Sequence, residues 1–139
     1  MKKILLMFIL LSAAALTMSA APKAYTLKSP DGRLEMHIST VDGIRYDVLH
    51  EGMLLLERSQ ASMTLGDGTI YGGTAMKVRR ARTRSVDEVA EAVAYKKSEV
   101  RENFNELELD CGGYKVIFRA YDDACAYRFI SLSRTPFTV

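Results

Sequence analysis

SPDGRLEMHISTVDGIRYDVLH, running from Ser29 to His50, decides the fold. In its first run Leu34, Met36, Ile38 and Thr40 fall on one face, and Arg33, Glu35, His37 and Ser39 fall on the other. That period-two alternation is the mark of a β-strand with one face toward a core. In the second run Ile44, Tyr46 and Val48 share a face. Pro30-Asp31-Gly32 and Asp42-Gly43 punctuate the two runs. Glycine reaches positive φ without a Cβ clash, so Asp-Gly between alternating runs signals a hairpin. The stretch reads as consecutive antiparallel strands.

The pattern extends in both directions. YTLKS precedes the first turn, and MLLLE, Met53 to Glu57, is a nearly continuous apolar run, which predicts a strand buried on both faces. ASMTLGDGTIYGGTAMKV carries two more glycine-marked turns, Gly66 to Gly68 and Gly72-Gly73. DEVAEAVAY, Asp87 to Tyr95, has helix-forming composition, but its Val and Ala residues make no stripe at helical spacing, so it reads as a strand or irregular segment. NFNELELD, YKVIFRAY and CAYRFI are three further strands. Roughly eight or nine short strands with turns about every 8–12 residues predict an all-β, antiparallel sandwich. At 139 residues the chain is sized for one domain and too short for a (β/α)8 barrel.

Residues 1–21 read as a Sec signal peptide. Lys2 and Lys3 precede the apolar run Ile4 to Leu16, and the small residues of TMSAAP follow. The run is too short for a membrane span, and no Cys lies beside it to carry a lipid. The expectation is a periplasmic or secreted product with its domain in residues 22–139 and no membrane attachment after cleavage. Loss of Lys2 and Lys3 leaves 17 basic residues against 17 acidic ones. A neutral chain has no field to steer it to nucleic acid or an anionic surface. The basic cluster RRARTR, Arg79 to Arg84, has no interleaved aromatic and is followed by Asp87, Glu88 and Glu91, so it reads as a solvated face.

Export makes a disulfide between Cys111 and Cys125 a question. In a meander the two sit at opposite ends of the strand Tyr114 to Tyr121, about 20 Å apart at the rise of a strand. A disulfide needs Cα atoms within about 4.4–6.8 Å, so two unpaired thiols are expected. His37 and His50 are the only histidines, with no CxxC or HxxxH spacing, so no metal ligands are assigned.

Candidate chemistry is confined to a few polar positions. Asp122 and Asp123 are adjacent in the turn of FRAYDDACAYRF and point apart, whereas glycoside hydrolysis needs two carboxylates facing each other across roughly 5–10 Å. Glu106 and Glu108 share one strand face, a pattern that an exposed sheet surface also gives. Arg119, Tyr121, Tyr127 and Arg128 are suited to sugar contact by stacking and bidentate hydrogen bonds, and equally suited to lying along the sheet with polar ends in water. No residue is assigned as catalytic, cofactor-binding or metal-ligating.

In SPDGRLEMHISTVDGIRYDVLHEGMLLLERS, TLGDG, KSEVRENFNELELD and FRAYDDACAYRF, the chain resembles the N-terminal domain of glycoside hydrolase family 97 from about Tyr25 to Phe129. Ala124-Cys125, in place of a Gly and an aliphatic residue, and the lack of Trp depart from the family's pattern. The resemblance implies a β-super-sandwich of the galactose-mutarotase-like type, incomplete here at the C-terminus, that precedes a catalytic barrel and a small β domain. It also implies calcium-dependent α-glucosidase or α-galactosidase chemistry with carboxylates mainly on the barrel. The Glu by which the N-terminal domain would hold calcium should lie beyond Val139, so no cofactor is expected on this chain.

The expected function is that of a non-catalytic, carbohydrate-binding-type domain supporting the active site of a barrel that these residues do not contain. Its partners would be that barrel and an oligosaccharide. A standalone exported module that binds a glycan or a protein is the alternative.

Overall fold

The computed structural model describes residues 23–91 and 99–139. The signal segment 1–21 and the end of DEVAEAVAY, Ala92 to Tyr95, lie outside the described residues. Four strands follow one another as a meander, β1 (Ala24–Lys28), β2 (Leu34–Ser39), β3 (Ile44–His50) and β4 (Met53–Ala61), hydrogen-bonded in the order β1-β2-β3-β4. Two short strands, β5 (Met63–Thr64) and β6 (Ile70–Tyr71), pair with each other. A second meander, β7 (Arg80–Glu91), β8 (Glu99–Asp110), β9 (Tyr114–Tyr121) and β10 (Cys125–Ser131), forms a sheet in the order β10-β9-β8-β7. Every pairing is antiparallel. The expected antiparallel sandwich is present. Asp87 to Glu91, whose composition suits a helix, is strand because Asp87 to Glu91 pair with Asn103 to Glu99 on β8.

The alternation in Ser29–His50 explains the packing. Leu34, Met36, Ile38, Ile44 and Val48 turn inward and are at most 6% exposed. From the other sheet come Leu107, Leu109, Val116, Phe118 and Ala120, each at most 2% exposed. Packing places β1 over β8 and β9, and β2 over β9. Each fully buried side chain of this size contributes about 1.5–3 kcal/mol from removal of apolar surface from water.

A brace at Gly72 joins the two sheets. Its carbonyl accepts a hydrogen bond from the Ile44 N–H at the start of β3 (2.9 Å), and its own N–H donates to the Tyr114 hydroxyl of β9 (2.9 Å). Tyr114 stacks on Tyr71 with ring centroids 4.0 Å apart, and Phe129 tilts against both. Burial raises the Tyr114 phenol to about 12, the hydrogen bond from Gly72 opposing that rise. Glycine is needed at this crossing for two reasons: its φ is +73°, and a Cβ there would meet the Ala61 carbonyl oxygen at 2.3 Å.

Cys111 and Cys125 are free and half-buried, at opposite ends of β9, as the meander requires. Burial pushes both thiols up from their usual range.

One expectation is corrected. MLLLE lies on β4, the edge of its sheet, and Met53, Leu54, Leu55 and Leu56 are 64, 48, 59 and 40% exposed. Successive side chains of a strand point to opposite faces, so a run in which Met53, Leu54, Leu55 and Leu56 are all apolar is apolar on both. The β3–β4 register also slips between Val48 and Leu49, which pair with Leu56 and Leu54 and leave Leu55 unpaired, and among the described residues no strand pairs with the far side of β4.

Two outcomes follow for the purified chain. Gly72→Ala should lower the urea midpoint by the equivalent of about 2–4 kcal/mol, because positive φ and a backbone clash act together. The apolar run Met53 to Leu56 lies on an edge strand and is followed by the exposed Glu57 and Arg58, and an exposed apolar edge templates association. The chain should therefore sediment partly as dimer or larger species at about 100 µM, and Leu54→Lys with Leu55→Lys should shift it toward monomer.

Candidate functional site

The outer face of the second sheet collects most of the polar residues singled out above. Successive side chains of a strand alternate between faces. On β8, Leu107 and Leu109 go to the core, so Phe104, Glu106 and Glu108 face out. On β9, Val116, Phe118 and Ala120 go to the core, so Ile117, Arg119 and Tyr121 face out. Register then sets two rows across the sheet. Arg84, Glu106, Arg119 and Ala126 form one, and Arg82, Glu108, Ile117 and Arg128 form the next.

Glu106 is the centre of the first row. It is 4% exposed, and both carboxylate oxygens are held: Arg84 donates through Nε to Oε1 (2.7 Å) and through Nη2 to Oε2 (3.2 Å), and Arg119 donates through Nε to Oε2 (2.7 Å). Burial disfavours the charged carboxylate, but the hydrogen bonds from Arg84 and Arg119 outweigh it and hold its pKa below the usual carboxylate value. Arg119 also lies 4.2 Å from the centre of the Phe104 ring, which packs on Tyr121 at 5.2 Å. Phe104 and Ile117 are 1% and 5% exposed although they point away from the main core. In the second row Glu108 is bound by Lys115 Nζ at 2.9 Å. Between the rows lies a hollow of about 460 Å³ lined by Arg82, Arg84, Glu106, Ile117, Arg128 and Ile130, among others.

The structure thus brings Glu106, Glu108, Arg119, Tyr121 and Arg128 together. Tyr127 is not among them: it turns to the other face and packs against Tyr46 and Phe118, with centroids 5.7 and 6.0 Å away. Asp122 and Asp123 sit in the β9–β10 turn, where Asp122 Oδ1 accepts the backbone N–H of Asp31 (2.9 Å). Asp122 therefore ties its turn to the β1–β2 turn. The sequence reading missed Arg82 and Arg84 as members of this face. RRARTR is a strand face, as expected, but Arg84 is tied to a carboxylate 22 residues away. Its alternation with period two, set against that of Glu106 and Glu108, was the available signal.

A second polar trough, about 500 Å³, lies on the outer face of the first sheet and is lined by Thr26, His37, Ser39, Arg45, Asp47 and Arg58, among others. His37 there contacts Glu35, which Lys28 also binds at 3.0 Å. His50 is on β3 opposite Leu34, apart from His37 opposite Asp47. Among the described residues no three His, Cys, Asp or Glu side chains come together as metal ligands. The carboxylates of the arginine-rich face, Glu106 and Glu108, already have cationic partners, so that face does not fit calcium.

Comparison with known proteins gives consistent results. The family described as glycosyl-hydrolase 97 N-terminal matches residues 27–139. The chain is 40% identical over 140 residues to the retaining alpha-galactosidase of Bacteroides thetaiotaomicron, covering 100% of this chain and 21% of that protein. It spans about a fifth of that relative's length. A glycoside hydrolase family 97 enzyme from Pseudoalteromonas sp. strain K8, solved in complex with acarbose, superposes with a TM-score of 0.64 at 19% identity over 76% of this chain and 17% of that chain. A beta-arabinopyranosidase superposes with a TM-score of 0.63 at 26% identity over 76% of this chain and 18% of that chain.

The Glu106 cluster makes a pH-dependent prediction. A carboxyl group whose folded pKa is depressed stabilises above its unfolded pKa, and that stability is lost as pH falls through the folded value. Glu106→Gln should cost about 1.5–3 kcal/mol at pH 7, the range for hydrogen bonds to charged groups. In urea titrations the gap between the two proteins should be full at neutral pH and close as pH drops below about 4.

Proposed function

The chain belongs to glycoside hydrolase family 97 through its N-terminal domain, and on that premise we propose that it is the non-catalytic β-sandwich part of an exported α-glycosidase. In this reading it supports, and presents a carbohydrate-facing surface to, a catalytic portion built from other residues. The observation that carries the proposal is the 40% identity to a retaining alpha-galactosidase, confined to a fifth of that enzyme's length. The chemistry of the described residues agrees with it. Hydrolysis of a glycoside by paired carboxylates needs one acid and one base or nucleophile free to reach the bond. Here Glu106 is locked by two arginines, Glu108 by a lysine, and Asp122 is spent on bracing a turn.

Export to the periplasm or beyond is part of the proposal and rests on Lys2, Lys3 and the apolar run Ile4 to Leu16. The exposed apolar edge of β4 fits a domain that packs against a larger body.

The test is a chimera in which this chain replaces the matching first fifth of the Bacteroides thetaiotaomicron enzyme. The chimera should hydrolyse an aryl α-galactoside. The chain alone should not, with or without calcium. A soluble, folded chimera without activity, or turnover by the chain alone that disappears in Asp122→Asn, would overturn the reading.

A further inference from the structure

The arginine-lined hollow on the outer face of the second sheet has a charge surplus that the molecule itself does not neutralise. Its two central rows carry Arg82, Arg84, Arg119 and Arg128 against Glu106 and Glu108. Arg84 and Arg119 are taken by Glu106, and Glu108 is taken by Lys115. Among the described residues Arg82 and Arg128 have no carboxylate partner. They stand at the two ends of one row, separated by Glu108 and Ile117, about 14 Å apart at Cα from three strand spacings. Long side chains from both ends can reach a group held between them, above the covered Ile117 (5% exposed). A guanidinium binds a carboxylate through two parallel N–H···O bonds.

We propose that this hollow binds a carboxylate-bearing saccharide residue, a hexuronate, with its carboxylate between Arg82 and Arg128. The choice of a saccharide rests on the glycosidase-family role proposed above; the need for a negative charge rests on the arginines alone. A volume of about 460 Å³ accommodates a sugar unit or two. An acidic polypeptide is the poorer fit. β8 and β9, which carry Glu106, Glu108, Ile117 and Arg119, are interior strands with neighbours on both sides. Over the middle of the row a peptide therefore finds only side chains, and backbone pairing is open to it only along the edge strands β7 and β10. The tie of Glu106 to Arg84 and Arg119 keeps that carboxylate from repelling the ligand.

The experiment measures direct binding to the purified chain by calorimetry, with trigalacturonate, neutral maltotriose and hexaglutamate as probes. Trigalacturonate should bind more tightly than either, and its affinity should fall as NaCl rises from about 50 to about 300 mM, where screening shortens. Arg82→Gln with Arg128→Gln should weaken it at least about tenfold, as expected for loss of a bidentate ion pair. Arg45→Gln with Arg58→Gln, which removes the same charge from the trough on the other sheet, should leave it within about twofold, since distant sites act independently. Equal affinity for maltotriose, tighter binding of hexaglutamate, or an Arg82/Arg128 variant that binds like the parent would each overturn the proposal. Because binding is read without turnover, an active chimera beside a failed binding test would leave the family role standing and remove only this site.

Discussion

Gly72 ties the first meander to the second through its own N–H and carbonyl. Each four-stranded sheet satisfies its own backbone ladder, and the apolar faces between them are held by non-directional burial, which allows sliding. The Gly72 peptide adds direction, since its carbonyl is committed to Ile44 on one sheet and its N–H to Tyr114 on the other. A second directional link runs from the Asn105 side-chain amide of β8 to the Lys28 carbonyl of β1 (2.8 Å), and a third from Asp31 to Asp122 between turns. Together they set how the second sheet lies on the first.

That alignment has a consequence for the outer faces. With β1 over β8 and β9, the inner face of the second sheet is consumed by Leu107, Val116 and Phe118, so its charged residues can go only outward. Outside, they organise around one buried carboxylate. Glu106 would be costly to leave unpaired at that depth, and two guanidiniums satisfy it. Arg119 does so while lying on Phe104, which joins the ionic and aromatic parts of the face. The result is a rigid polar surface with surplus positive charge in a chain whose formal net charge is only +2.

Two of the edge strands, β4 and β7, are unlike. β7 carries Arg80, Arg82 and Arg84 followed by Asp87 and Glu88, the charged character that discourages pairing with other chains. β4 presents Met53 to Leu56 as four successive exposed apolar residues, with Glu57 and Arg58 after them.

Much of the fold was legible in the residues themselves. The alternation in Leu34–Ser39 and Ile44–His50 and the Asp-Gly between them are local signals, because side-chain period and positive φ are properties of one or two residues. For the same reason the meander fixed the separation of Cys111 and Cys125, and the family resemblance was carried by contiguous motifs. What tertiary structure alone decided is partnership across distance. MLLLE reads the same whether a strand is central or at an edge, and only sheet order put it at the edge. Arg84 and Glu106 lie 22 residues apart, and register across β7, β8 and β9 is what turned a basic cluster and a strand-face pair into one site. Tyr127 went to the opposite face from Arg128 because alternation separates neighbours, and which of the two faces the core depends on the sheet packed behind them.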